Sequence, residues 1–419
     1  MLRRWNGGSN VLLLLCAMYF ITYVDRVNVS SAAVAFKGEF GLNNTQLGLV
    51  FSAFGYPYLV CQIAGGWFSD RFGAKRTLVI SGLIWAIATI ITGLATGFLT
   101  MIAARVLLGL GEGATFPTAT RAMSVWVPKA QSGWAQGITH SAARLGNAIT
   151  PPVVIGLIAV VSWRGSFVVL GAVSLVWVLV WAWYYEDDPR QHPSMQAEDL
   201  ARLPALRPRI EGRTPWPALI RRMAPVTFVY FCYGWTLWTF LTWVPQFMLH
   251  AYKLNLKDSA LFSMLVFGGG VVGDALGGVV SDWMLRRTGS LLRARRDLVI
   301  FGMIGSFICS APVLFVTDPA LAALSLGGAF FFAELTIGPM WAIPMDIAPE
   351  HSGTASGLMN SGSALAAIVS PVVFGAIIDA TGNWSLPFYG TMGLLLVGVV
   401  AAFAMRPDRP LLTRMQEHA

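Results

Sequence analysis

Charged side chains are scarce. Only 12% of the 419 residues are Asp, Glu, Lys or Arg, whereas 55% are hydrophobic. A soluble protein carries about a quarter charged residues. Half that share cannot cover a water-facing surface, which excludes a soluble enzyme and a disordered chain alike. Cysteine is sparse too. Cys16, Cys61, Cys232 and Cys309 all lie in apolar stretches without CxxC spacing, so neither a disulfide frame nor a zinc site is expected. A phosphate-binding GxxxxGK[ST], a zinc-binding HExxH and a nucleophile elbow GxSxG are missing at any supported position. No catalytic constellation, metal or cofactor is therefore expected, and any transport must run on ion or substrate gradients. The net charge of +8 might suggest nucleic acid, but no basic stripe is interleaved with aromatics. A nucleic-acid partner is not expected.

Apolar length is what the chain has in abundance, and its mean hydropathy is +0.62. A membrane span needs ~20 mostly apolar residues. Such runs fall near 11–35, 47–69, 77–96, 99–124, 134–160, 165–185, 224–249, 259–283, 297–317, 319–344, 354–378 and 384–405. These predict an all-α membrane protein of twelve spans, because lipid offers an unpaired backbone no partner and the alternating segments of a barrel are absent. Arg3 and Arg4 before the first run, with Ala33-Val34-Ala35 after it, have the outline of a signal peptide. That run is too long and carries Asp25 and Arg26, so it reads as a retained span. Of 29 Lys and Arg, 21 fall on the side of both termini, four on the other side and four within helices. The positive-inside rule then puts both termini in the cytoplasm. Residues 186–222 are charged and rich in proline, and predict a cytoplasmic linker between six-helix bundles at 1–185 and 223–419. The bilayer is the expected surroundings, with a monomer as the working unit. Short loops suit a bacterial inner membrane, although Asn43-Asn44-Thr45 forms a glycosylation sequon.

The two halves repeat one another. Gly66-x-x-Ser69-Asp70 with Lys75-Arg76 returns 212 residues later as Gly278-x-x-Ser281-Asp282 with Arg286-Arg287. Ser132-Gly133-x-Ala135-x-Gly137 returns 220 later as Ser352-Gly353-x-Ala355-x-Gly357, and Pro152-Val153-Val154-x-Gly156 returns 219 later from Pro371. Shared order and offset point to duplication, the plan of a transporter with one site at midplane.

The stretch Gly66-Trp67-Phe68-Ser69-Asp70-Arg71-Phe72-Gly73-Ala74-Lys75-Arg76 resembles the signature between helices 2 and 3 of the major facilitator superfamily. More narrowly, Tyr23-Val24-Asp25-Arg26-Val27-Asn28, Tyr58-x-x-x-Gln62-x-x-Gly65-Gly66, Arg105 through Glu112, and Asp379 through Trp384 resemble the anion:cation symporters of that superfamily. The resemblance spans the whole chain. It implies the twelve-helix facilitator fold and import of small organic anions, such as sugar acids, dicarboxylates or aromatic acids, usually with protons. It also implies a conformational latch made of Gly66, Asp70, Arg71, Gly73, Lys75 and Arg76, echoed at Asp282. Physically, a carboxylate near a helix end can pair with arginine and accept N–H bonds from a neighbouring helix N-terminus.

Seven ionisable groups fall well inside predicted spans: Asp25, Arg26, Arg105, Glu112, Arg144, Asp274 and Glu334. Each costs ~2.5–3.5 kcal/mol at a helix centre, so unpaired they would cost ~20 kcal/mol together; they must pair or face a cavity. Adjacent Asp25 and Arg26 diverge by ~100° on a helix and cannot simply neutralise each other. Arg105 and Glu112 are two turns apart on one face, about 10 Å. The resemblance assigns proton coupling to Asp25 and Glu112, anion binding to Arg26, and tuning of a carboxylate to Arg105. It also matches Tyr58 to a substrate-facing tyrosine, a packing aromatic being the alternative. At the repeat offset of 220, His140 pairs with Asn360 and Ser141 with Ser361. These positions lie on helices 5 and 11, which line the cavity in facilitators, so His140, Asn360 and Ser361 are candidate substrate contacts. Arg144, one turn after His140, has Ala364 as its equivalent. It is either a second anchor suited to a dicarboxylate or the partner of an intramembrane acid. Trp235, Trp238 and Thr239 share one face that either lines the site or meets lipid.

The combined reading is a proton-coupled importer of a small organic carboxylate, not an enzyme. The alternatives are an anion exchanger or drug/proton antiporter of the same fold. A GxxxGPxxGG-like run, common on helix 5 of such antiporters, is absent from Gly146 to Pro152.

Overall fold

Apolar runs broken by Gly and Pro become helices joined by short turns. The computed structural model describes residues 7–42, 46, 49–50, 53–204, 214–254 and 256–411. Arg3, Arg4, the Asn43-Asn44-Thr45 sequon and the middle of the Pro-rich segment lie outside them. In order, the main helices are α1 (Gly7–Ser31), α2 (Ala33–Phe40), α3 (Gly55–Phe72), α4 (Ala74–Gly93), α5 (Phe98–Gly113), α6 (Thr115–Trp126) and α7 (Ser132–Tyr184). After the linker come α8 (Trp216–Ala251), α9 (Leu256–Thr288), α10 (Leu298–Ser310), α11 (Pro319–Glu334), α12 (Ile337–Ile347), α13 (Ser352–Thr381) and α14 (Leu386–Ala402). Among the described residues, seven helical stretches are long and apolar enough to cross a membrane. The segments expected near 47–69, 134–160, 224–249, 354–378 and 384–405 are helical as well, in α3, α7, α8, α13 and α14. Two predicted spans, 134–160 and 165–185, run together as α7, broken at Ser162, whose φ of 70° and ψ of 169° are not helical.

The chain divides into two units. One comprises Met1–Lys129, Ala142–Arg213 and Glu350–Gly357; the other comprises Ala130–Ser141, Thr214–Pro349 and Leu358–Ala419. Each unit thus holds the start of one helix whose remainder belongs to the other: the first turns of α13 in the first unit, those of α7 in the second. Within the first unit α4 packs on α5, and α3 packs on α5 and α6. Its apolar core includes Val24, Phe36, Met101, Val154, Trp163 and Phe167. In the second unit α9 and α10 pack on α11, and α8 and α10 pack on α14. The small-residue seam Gly269, Gly273 and Gly277 of α9 lies directly against the carbonyls of Gly327, Phe331 and Leu335. A Cβ there would strike backbone, which explains three glycines at four-residue spacing.

Candidate functional site

In the first unit α1 presents Asp25 and Arg26 in different directions, as ~100° per residue requires. Asp25 is 1% exposed. It turns toward α7, where Oδ2 accepts from the Ser174 hydroxyl at 3.0 Å, and Oδ1 accepts from Asn28 Nδ2 at 3.4 Å. Arg26 turns toward α5, where its Nε donates to Glu112 Oε2 at 2.6 Å. Glu112 is fully buried. Its Oε1 and the Nη2 of Arg26 are both enclosed and meet no partner among the described residues.

Arg26 sits in a cage of rings. Its Cζ lies 4.6 Å from the centroid of Tyr58, 4.9 Å from Tyr23 and from Phe116, and 5.2 Å from Phe54. Aromatic faces are electron-rich and hold a desolvated cation where water is excluded. Tyr58 therefore stands directly against the Arg26 guanidinium. Arg105, 4% exposed, shares Phe54 with Arg26 at 5.3 Å. It interacts electrostatically with both Asp25 and Glu112, while its Nε has no partner among the described residues. Two helical turns keep Arg105 from touching Glu112 directly, so the carboxylate closes on Arg26 instead. Arg144, also 4% exposed, reaches the Tyr23 hydroxyl through Nη1 at 3.4 Å and lies 5.6 Å from that ring.

The superfamily signature occupies the end of α3 and the start of α4 in the same unit. Asp70 is 2% exposed. Its Oδ1 accepts from the backbone N–H of Gly353 at 3.0 Å, and its Oδ2 accepts from the N–H and hydroxyl of Thr354 at 2.7 and 2.6 Å. A carboxylate thus caps the first turn of α13, satisfying orphan donors and the helix dipole. Arg121 Nε lies 3.8 Å from the same carboxylate. Gly66 is needed because the Gly353 carbonyl sits where a Cβ would be, and Gly73 because its φ is 91° with the Asp187 carboxylate against it. Lys75 Nζ pairs with Glu186 at 2.5 Å, and its backbone N–H donates to Asp187 at 3.2 Å. Arg71 lies over the Trp67 ring, and Arg76 lines a polar cavity of about 630 Å³ beside Asp70, Arg121 and Glu186.

The second unit repeats this arrangement. Asp282 accepts from the N–H groups of Gly133 and Trp134 at 3.0 and 2.6 Å, capping α7 as Asp70 caps α13. Fully buried Arg295 joins Asp282 at 3.3 Å to Asp346 at 3.0 Å and donates to Ser132 at 2.7 Å. The two repeated motifs therefore bond crosswise: the Gly-x-x-Ser-Asp of each half receives the Ser-Gly of the other.

The other candidate contacts lie in this second unit. His140, 3% exposed, packs on Trp341 at 4.9 Å, and Trp341 donates to the Tyr230 hydroxyl at 2.6 Å. Tyr233 donates to buried Glu334 at 3.0 Å, giving that acid a partner that sequence reading did not name. Trp238 donates to Ser363 at 3.3 Å, Ser361 bonds back to the Leu358 carbonyl, and Asn360 is 6% exposed. Sequence reading also missed Tyr23, Phe54 and Phe116 as cage walls and Ser174 as the partner of Asp25. Only Tyr23 carried a local signal, three residues before Arg26 on one helix face.

The Major Facilitator Superfamily model matches residues 15–371 and again 290–417. The chain belongs to the major facilitator superfamily. Membership makes it a membrane transporter and not an enzyme. Among relatives within the superfamily, the Cupriavidus necator protein named "Probable sulfoacetate transporter SauU" is 49% identical, over 97% of this chain and 96% of that one. The hexuronate transporter of Bacillus subtilis is 30% identical, over 94% and 92%. Among solved structures, the E. coli fucose:proton symporter FucP aligns over 96% of this chain and 99% of its own, with a TM-score of 0.73 at 14% identity. That likeness supports the superfamily fold.

Proposed function

We propose that the protein is a proton-coupled importer of small organic anions. The observation that carries this reading is the Arg26–Glu112 pair, buried among four rings. An incoming anion competes with Glu112 for Arg26. Once displaced, Glu112 takes up a proton rather than remain a buried unpaired charge. Release of the anion lets the pair re-form and expels the proton. Asp25 is the second protonatable group, and Arg105, within electrostatic reach of both acids, sets their balance. Tyr58, Arg144, His140, Asn360, Ser361 and Trp238 are the further candidate substrate contacts. Relatives named for sulfoacetate and hexuronate support an anionic substrate.

In this reading the chain has twelve spans, arranged as six-helix bundles at 1–185 and 223–419 about a linker at 186–222. Both termini are cytoplasmic, the membrane is a bacterial inner membrane and the working unit is a monomer. Transport proceeds by alternating access, and the caps made by Asp70 and Asp282 act as latches that hold one conformation. Proteoliposomes should accumulate labelled organic anion when the outside is made acidic, and lose the accumulation when a protonophore is added. Uptake driven only by a counter-anion gradient and indifferent to pH would instead establish an exchanger.

A further inference from the structure

The two carboxylate caps are built alike but furnished differently. Each capped helix follows a short 3-10 turn, Lys129–Gln131 before α7 and Pro349–His351 before α13. At the repeat offset of 220, Gln131 and His351 occupy the same place. Each side chain keeps one enclosed polar atom that meets no partner among the described residues, Oε1 of Gln131 and Nδ1 of His351. The amide is neutral at every pH, whereas the imidazole can take a proton. His351 is 3% exposed and sits two residues ahead of Gly353, whose N–H donates to Asp70 at 3.0 Å. The charged groups that act on it are Asp70 of α3, Arg121 of α6 and Glu350 of its own turn. Guanidinium support differs as well. Arg295 Nη1 comes within 3.3 Å of Asp282, whereas Arg121 Nε lies 3.8 Å from Asp70.

We infer that His351 is a proton-binding site that loosens the Asp70 cap of α13 in acid, while the Asp282 cap, with Gln131 at the equivalent place, stays shut. The reason is the cost of an enclosed charge. An imidazolium carries a proton on both nitrogens and needs an acceptor or water at each. Within the closed turn Nδ1 meets neither a side chain nor a backbone acceptor among the described residues. Asp70 is in electrostatic reach, but its oxygens are taken. Oδ1 holds the Gly353 N–H, and Oδ2 holds the N–H and hydroxyl of Thr354 at 2.7 and 2.6 Å. Drawing Asp70 toward His351 strips those donors, and turning His351 out to water opens the turn they belong to. Both routes weaken the cap. Titration has the matching sign. Burial pushes the imidazole below its ordinary value of 6.5, Asp70 and Glu350 pull it up, and Arg121 pushes it down. Once the turn opens and is hydrated, the imidazole returns to about 6.5. The open form then binds more protons than the closed one. The cap is therefore at full strength above that value and weakens progressively as pH falls below it. With this end on the cytoplasmic side, as proposed, protons brought in with substrate release one latch and not the other.

The test is hydrogen–deuterium exchange of the purified full-length protein in nanodiscs, and it needs no transported anion. Exchange is expressed as protection factors, which remove the intrinsic pH dependence of the chemistry. Protection of the Gly353 and Thr354 amides should fall about five- to tenfold between pH 7.5 and pH 5.5, the ceiling being set by one pH unit below an ordinary histidine. The Gly133 and Trp134 amides, bonded to Asp282 at 3.0 and 2.6 Å, should keep their protection in the same samples. His351→Gln, which copies the residue of the first half, should hold the protection of Gly353 and Thr354 level across this range. The inference is overturned if that protection is level or rises in acid in the wild type, if all four amides fall together, or if the fall persists in His351→Gln. Should His351→Gln not fold, His351→Asn, equally unable to charge, gives the same reading.

Discussion

Glu112→Gln abolishes uphill uptake while sparing exchange. In proteoliposomes the variant should give no accumulation above equilibrium under an acid-outside gradient, where the wild type concentrates its anion many-fold. Counterflow between labelled and unlabelled anion should persist at a similar rate. The reason lies in the pairing of Glu112 with Arg26 at 2.6 Å. Glutamine fills the same space and still accepts a hydrogen bond, but it cannot take or release a proton. The cluster then cycles with anion alone. A Gln variant that still concentrates substrate under an imposed pH gradient would remove Glu112 from the coupling step. In that case the adjacent Asp25, held by Ser174 and Asn28 on another face of α1, becomes the coupling acid.

The second large effect is at Arg26. Arg26→Gln should weaken binding of every organic anion by at least about 100-fold, since hydrogen bonds to a charged partner contribute ~1.5–3 kcal/mol each and two are lost. The change also leaves Glu112 buried without its cation, so melting temperature should drop unless Glu112 protonates. The double variant Arg26→Gln/Glu112→Gln should recover the stability but not the binding. This separates the two roles of one side chain. Arg26→Lys should recover little, because four rings that fit a planar guanidinium suit a compact ammonium poorly. A Gln variant that binds with wild-type affinity would move the anion site elsewhere.

Much of this site can be read from the chain because charge in lipid is so costly. Asp25, Arg26, Arg105, Glu112 and Arg144 stand out against apolar neighbours, and helical geometry alone separates Asp25 from Arg26. Periodicity also exposes the glycine seam of α9. What it cannot supply is pairing across helices. Arg105 and Glu112 share a face of α5 and invite pairing, yet two turns keep them apart and Glu112 closes on α1. Phe54 and Phe116 look like any apolar residue of a span until tertiary packing sets them around Arg26. The repeats reveal two Gly-x-x-Ser-Asp motifs and two Ser-Gly motifs. That Asp70 caps α13 and Asp282 caps α7 depends on how distant segments meet, which internal similarity does not encode. The same holds for the division of α7 and α13 between units.

Everything above turns on one buried cation shared between a carboxylate and a guest anion. Calorimetric titration of the purified protein with its anion near neutral pH, repeated in buffers of different ionisation enthalpy, counts the protons exchanged on binding. Uptake of about one proton per anion, lost in Glu112→Gln, is the expected result, together with an affinity that rises as pH falls. Binding with no proton exchanged and no pH dependence would contradict the account.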